Sequence, residues 1–272
     1  MAFLEYTVDS QVALITLTNN VAGNVLNRSM LELLQIAMDQ AVADKEVRVI
    51  VLRAQGDPFC LGMDLTMMQQ IHQNEADARQ TIALYVSVLT SISVSPKPVI
   101  CLVQGAVKAG GVGLVAACDI VLATEQASME LSEVLLGLIP ANVAPFICGV
   151  RLPLQKMKYL ILTAKKLTAM EARRVNLVDE VFPVDQFAAG AKAIVKKLLR
   201  ASPSALSETK QFFGIINDET KDRSLASAQD KLLEMIKTPE VIMAIQAFNE
   251  GNTPVWFAKY QPKKPLVLEG KA

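Results

Sequence analysis

The sequence predicts an α/β fold with a C-terminal helical extension, and three observations carry that prediction. Apolar runs of strand length alternate with segments of helical period from the N-terminus to about residue 183. A glycine-rich turn, Gly105 to Gly113, follows the most continuously apolar of those runs. From about residue 185 onward the pattern is helical. Such alternation lays helices over a strand core, so the expected organisation is a strand/helix core over 1–200 and a helical region over 201–272, with no internal repeat or low-complexity tract.

Val12 to Leu17 reads as a strand, followed by a loop rich in Asn and Gly at Asn19, Asn20, Gly23 and Asn24. A helix is expected to open at Ser29, with Glu32 completing a capping box and apolar residues at 30, 33, 34, 37 and 41 keeping its period. Val47 to Leu52 returns as a strand, and the loop from Gln55 to Cys60 leads into a second helical region beginning at Gly62-Met63-Asp64. Pro96 and Pro98 end that helix before Val99 to Val103, a strand whose unbroken apolarity predicts burial on both faces. After the glycine turn come a short apolar helix to Cys118 and a strand from Asp119 to Ala123. A further helix carries the capping box Thr168 to Glu171, and Leu177 to Phe182 reads as a last strand before Pro183.

The 272 residues are 51% hydrophobic and 20% charged, with 27 basic residues against 27 acidic ones, which excludes a disordered chain and supplies no overall basic field for nucleic acid or an anionic membrane. Cys60, Cys101, Cys118 and Cys148 fall singly in apolar runs and are expected as reduced, buried thiols. The N-terminal segment lacks a basic stretch followed by an apolar signal core, and Gln104, Lys108 or Asp119 interrupts the longest apolar stretches short of the ~18 residues a membrane span needs. A soluble, cytoplasmic protein is expected. The only histidine is His72, flanked by Gln and Asn and expected at an exposed helix end, so histidine triads and histidine-based metal sites are not expected. Carboxylates, backbone amides or lysine are left to carry any chemistry.

The glycine turn concentrates that question, because free amides at a helix start suit an oxyanion, a phosphate or a polarised carbonyl. Gly111 to Ala116 formally fits a dinucleotide-binding pattern with Glu133 placed 20 residues past Gly113, but the following strand is over by Ala123 and Glu133 is not at its tip. Close packing of the glycines is a second reading. An oxyanion hole is the third, and it needs a second donor and an acid or base nearby.

Phe59-Cys60-Leu61-Gly62-Met63-Asp64-Leu65, then Val103-Gln104-Gly105 with Ala109-Gly110-Gly111 before Cys118-Asp119-Ile120, and Ser132-Glu133 through Leu138-Ile139-Pro140 resemble the enoyl-CoA hydratase/isomerase (crotonase) superfamily. The likeness runs from the Asn24-Val25-Leu26-Asn27 loop to the helical tail. It implies a crotonase-like spiral of repeated strand-strand-helix units. It further implies that the amides of Met63 and Gly110 polarise an acyl thioester carbonyl, which suits removal of an alpha proton because each preorganised donor stabilises the developing charge by about 3 to 4 kcal/mol. The hydratases of the superfamily carry two glutamates; here Gly113 stands at the first position and Glu133 at the second.

The segment from Lys108 to Gly113, with Ala127 to Phe146 and the ending Thr253-Pro254-Val255-Trp256, is similar to the stand-alone dehydratases of polyketide beta-branching cassettes. That similarity implies loss of water from 3-hydroxy-3-methylglutaryl held on an acyl carrier protein, with Glu133 as acid and base and no cofactor or metal. The pantetheine arm is expected along Asn24, Val25 and Leu26 and beside Asp64 and Gly111. Lys108, Asn142 and, more weakly, Tyr85 are candidates to meet the distal carboxylate. A homotrimer or dimer of trimers, with the 201–272 region packing between subunits and covering the site, is the expected assembly. The competing readings are a hydratase or isomerase on a free CoA thioester, the partner decarboxylase of the same cassettes, and a silent scaffold that binds a carrier protein.

Overall fold

A computed structural model describes residues 3–66, 75–211, 229–230 and 232–253 of the chain. Strand β1 (Leu4–Asp9) and strand β2 (Val12–Leu17) form an antiparallel hairpin closed by Ser10 and Gln11, whose φ angles of 52° and 67° are both positive. Two left-handed residues are what a two-residue hairpin with the native twist requires. Ser-Gln is an unusual pair for that turn, and β1 is mostly exposed, so neither a turn signal nor an apolar run announces this strand in the sequence.

From β2 the sheet continues in parallel through β3 (Val49–Ala54), β4 (Val99–Val103), β6 (Ile120–Thr124) and β9 (Glu180–Phe182). Strand β3 starts two residues later than the apolar run suggests, because the amides of Arg48 and Val49 both turn to Gln11 O and the pairing with β2 begins at Val12 opposite Val49. A second sheet holds β5 (Ala106–Lys108), β7 (Ser128–Glu130) and the short β8 (Leu167–Thr168). Three-residue strands leave no readable periodicity, which is why β5 lay hidden in the glycine turn.

The two sheets are built together. Strand β4 enters the large sheet and its successor β5 the small one; β6 and β7 repeat the step, so that β4 lies parallel to β6 and β5 parallel to β7. Earlier turns of the same coil follow suit, with Cys60 bridging Val107 and Leu26 bridging Met63 in parallel. This is the expected spiral of strand-strand-helix units.

Helix α1 (Arg28–Ala43) is capped by Asn27, whose side chain accepts from Met30 N at 2.9 Å. The capping box expected at Ser29 is therefore displaced by two residues, and Glu32 pairs instead with Arg28 one turn back. Its buried face is Met30, Leu31, Leu34, Ala37, Met38 and Ala41, with Leu33 only half-buried. Helix α2 (Glu75–Val94) packs against α1 and ends before Pro96 as expected. Helix α3 (Gly110–Ala117) is buried at every residue, as a helix of Gly, Val, Leu and Ala at the centre of the coil must be.

Beyond β7 come helices α4 (Ala144–Ile147), α5 (Leu154–Thr163) and α6 (Ala169–Arg174). The Thr168 capping box is present in both directions, at 3.2 Å from Glu171 N and 2.9 Å to Glu171 Oε2. Helices α7 (Val184–Leu199) and α8 (Pro239–Asn249) follow. All four cysteines are free, three of them buried and Cys148 half-buried. No helix among the described residues is long and apolar enough to cross a membrane. His72 and Pro254-Val255-Trp256 lie outside the described residues.

Candidate active site

The coil brings three turns of chain side by side at one edge of the small sheet. Gly62 adopts φ 94°, and a Cβ there would stand 3.0 Å from Lys108 O and 3.2 Å from Gly110 N, so the first glycine motif lies directly on the second. Leu26 N donates to Gly62 O at 2.8 Å, and Asp64 N donates to Leu26 O at 3.2 Å. Those two bonds flank Met63 on the Leu26 side, and by strand alternation the Met63 amide faces the other way. Ala109, held by its own amide on Glu130 O at 2.9 Å, has φ 46° and ψ −121° and turns the chain sharply into α3. Gly110 is the first residue of that helix, where an amide has no acceptor within the helix. Neither the Met63 nor the Gly110 amide donates to another described residue. A Cβ on Gly110 would lie 3.5 Å from Met63 Cγ.

Both residues line a cavity of about 790 Å³, and so do Val25, Asp64, Tyr85, Lys108, Glu133 and Asn142. Glu133 opens a 3-10 turn, Glu133–Leu136, that follows β7. The residue as a whole is partly exposed, yet its Oε2 is fully buried and has no hydrogen-bond partner among the described residues. Burial above all raises its carboxyl to about 7, helped by the Glu130 charge and opposed by the hydrogen bond from its own amide. A carboxyl poised near neutrality in a pocket is suited to taking and returning a proton.

Asn142 is buried, and its Oδ1 likewise has no partner among the described residues. Lys108 keeps its ammonium 3.7 Å from Glu130 Oε2 at the cavity wall. Asp64 spends Oδ1 on the Thr66 amide and hydroxyl at 2.9 and 2.6 Å, so its carboxylate caps the turn that follows.

Three of the expected contacts stand behind the wall. Asn24 is fully buried, with Nδ2 donating to Pro58 O at 3.0 Å, and its side chain does not reach the cavity. Leu26 is core, its Cδ1 3.6 Å from the Cβ position of Gly110. Gly111 is a packing glycine, since a Cβ there would meet Cys60 O at 2.6 Å. Of the loop expected to follow the pantetheine arm, Val25 alone lines the cavity. Tyr85, a candidate to meet a distal carboxylate, lines the cavity and donates its hydroxyl to Gly110 O at 2.6 Å. Leu232, Phe248, Asn249, Gly251, Asn252 and Thr253 complete the wall from the C-terminal region. Apart from Thr253, which opens the Thr253-to-Trp256 ending, no motif marks them, because they are brought in by docking of the late helical region.

The model of the family described as enoyl-CoA hydratase/isomerase matches residues 7–259. YhaR of Bacillus subtilis (strain 168) is 31% identical over 254 residues, covering 93% of this chain and 98% of that protein. Bacillaene synthase dehydratase PksH of the same organism is 30% identical over 252 residues, covering 91% of this chain and 93% of that protein. The crystal structure of pksH from Bacillus subtilis superposes with a TM-score of 0.83 at 27% identity, over 92% of this chain and 98% of that one.

Proposed function

The chain belongs to the enoyl-CoA hydratase/isomerase family, and from that premise we propose that it removes water from a 3-hydroxyacyl thioester, converting 3-hydroxy-3-methylglutaryl-ACP to 3-methylglutaconyl-ACP in polyketide beta-branching. The observation that carries this reading is one unpartnered, buried carboxylate oxygen, on Glu133, in the same cavity as two amides without acceptors, at Met63 and Gly110. The dehydratase name of the PksH relative supports the direction of the reaction.

In this mechanism the thioester carbonyl accepts from Met63 N–H and Gly110 N–H. The Glu133 carboxylate takes the alpha proton, and the charge that moves to the carbonyl oxygen is held by the two amides. The same carboxyl, now protonated, gives its proton to the departing 3-hydroxyl, so carbon–oxygen cleavage and proton return occur on one face and the elimination is syn. A tertiary 3-hydroxyl has no hydrogen on its carbon and cannot be oxidised to a ketone, which leaves elimination as the productive route. Lys108 and Asn142 meet the distal carboxylate, and the pantetheine arm passes Val25 and Asp64. Residues 201–272 form the cover and pack between subunits of a trimer or dimer of trimers in the cytoplasm.

Incubating the protein with 3-hydroxy-3-methylglutaryl-ACP and reading intact mass tests this directly. A loss of about 18 Da that disappears in Glu133→Gln, with kcat down at least ~100-fold, is the expected result. Equal efficiency on the CoA thioester transfers the reading to a free-CoA hydratase or isomerase. Loss of carbon dioxide from 3-methylglutaconyl-ACP that survives Glu133→Gln assigns the decarboxylase. No turnover of any thioester, with carrier protein still bound, leaves the scaffold.

A further inference from the structure

Tyr85 belongs by position to the core. It lies on α2 among Ile82, Val86 and Leu89, and only 2% of it is exposed. Its hydroxyl is nevertheless carried to Gly110 O at the start of α3, and the residue lines the cavity that holds Glu133. A Cβ on Gly113 would lie 2.1 Å from that hydroxyl, and one on Gly110 would lie 3.4 Å from it. The phenol therefore occupies the space a side chain at 113 would fill, over the first turn of the helix whose leading amide faces the thioester.

A phenol has one proton to donate and lone pairs with which to accept. The proton is committed to Gly110 O at 2.6 Å. Burial first, then the charges of Glu133 and Cys60, push the hydroxyl well above its usual range, so it stays protonated and is no rival to Glu133 as a base. What remains to it in the cavity is the role of neutral acceptor.

We infer that Tyr85 Oη accepts a hydrogen bond from the substrate's 3-hydroxyl and so aims a lone pair of that oxygen at Glu133. The inference rests on the dehydration reading given above. A departing hydroxyl needs a proton on oxygen, and it receives one only if its own hydrogen points elsewhere. The balance is complete without further reagents: Glu133 takes the alpha proton, the electron pair of that bond forms the new double bond, the carbon–oxygen bond breaks, and Glu133 returns the proton to make water. Tyr85 is unchanged, and in the product state it accepts one of the two hydrogens of the released water.

The test separates this role from that of a clamp on Gly110. In the full-length protein, Tyr85→Phe is compared with wild type in two reactions: dehydration of 3-hydroxy-3-methylglutaryl-ACP, and alpha-hydrogen exchange in D2O on 3-methylglutaryl-ACP, which lacks the 3-hydroxyl and calls only on Glu133 and the amides. Dehydration should fall about 10- to 100-fold, the effect of one lost hydrogen bond to a reacting group, while exchange stays within about twofold. Equal loss in both reactions, or loss in neither, overturns the inference. Wild-type exchange without dehydration also overturns it and leaves Glu133 as the base; wild type that does neither overturns the dehydration reading itself. A second comparison is independent of turnover. Gly113→Ala should lower Tm, and adding Tyr85→Phe should restore much of the loss, because the atom at 2.1 Å is then gone; no restoration would mean that the hydroxyl does not occupy that space.

Discussion

Glu133 offers the sharpest quantitative test of the site, because one carboxyl sets both a rate and a stability. Holding it at about 7 instead of the ordinary 4.5 disfavours the charged form by about 3 kcal/mol. The base form must be present for the alpha proton to leave, so kcat/KM should rise with pH through about 7, standing about tenfold below its plateau near pH 6 and about a hundredfold below it near pH 5. A carboxyl at its usual value would give a nearly flat profile over that range. Stability moves the opposite way. A folded-state value above the unfolded one favours the protonated form in the fold, so this contribution is whole below about pH 4.5 and is lost as pH climbs through about 7. Glutamine cannot ionise, so the stability of Glu133→Gln relative to wild type should grow by about 3 kcal/mol between about pH 4 and pH 8. Urea denaturation of both proteins at several pH values reads the difference, and steady-state rates on the acyl-ACP read the other limb. Stability curves that run parallel with pH, together with a flat kcat/KM, would refute the buried-base argument.

Gly110→Val should abolish turnover with circular dichroism unchanged, since its methyl groups would enter the space between Tyr85 Oη and Met63 Cγ, 3.4 and 3.5 Å from the Cβ position; retained activity would remove the amide pair from the mechanism. Ala109→Gly should stabilise the protein by about 1 kcal/mol in denaturant, the reverse of the usual sign for that change, because Ala109 sits at φ 46°. Asn27→Ala should cost about 1 kcal/mol while Ser29→Ala costs less than about 0.5, as the cap at Asn27 requires.

What could be read in the chain was whatever a side chain announces locally. Val12–Leu17 and Val99–Val103 declare themselves as strands by apolar run, and Thr168 with Glu171 declares a helix start, because each signal is contained in a few neighbouring residues. Arg48 and the Ser10-Gln11 turn were opaque for the opposite reason: where β3 begins depends on what Gln11 O does 37 residues earlier. In the site, Met63 and Gly110 could be proposed only through resemblance, since backbone donors have no composition of their own. Asn24 carried a polar signal that the fold spends on Pro58 O, and Tyr85, read as a candidate for the distal carboxylate, delivers its hydroxyl to α3.

The cavity wall has two origins in the chain. Met63, Gly110 and Glu133 stand on the coil, whereas Leu232, Phe248 and Asn252 come from helices and turns roughly a hundred or more residues later and carry none of the proposed proton transfer. Acyl size and polarity can therefore drift through the late segment while the chemistry stands still. Grafting 229–253 from a relative onto this coil would be expected to exchange substrate preference without rebuilding a catalyst, so the fold separates what is recognised from what is done to it.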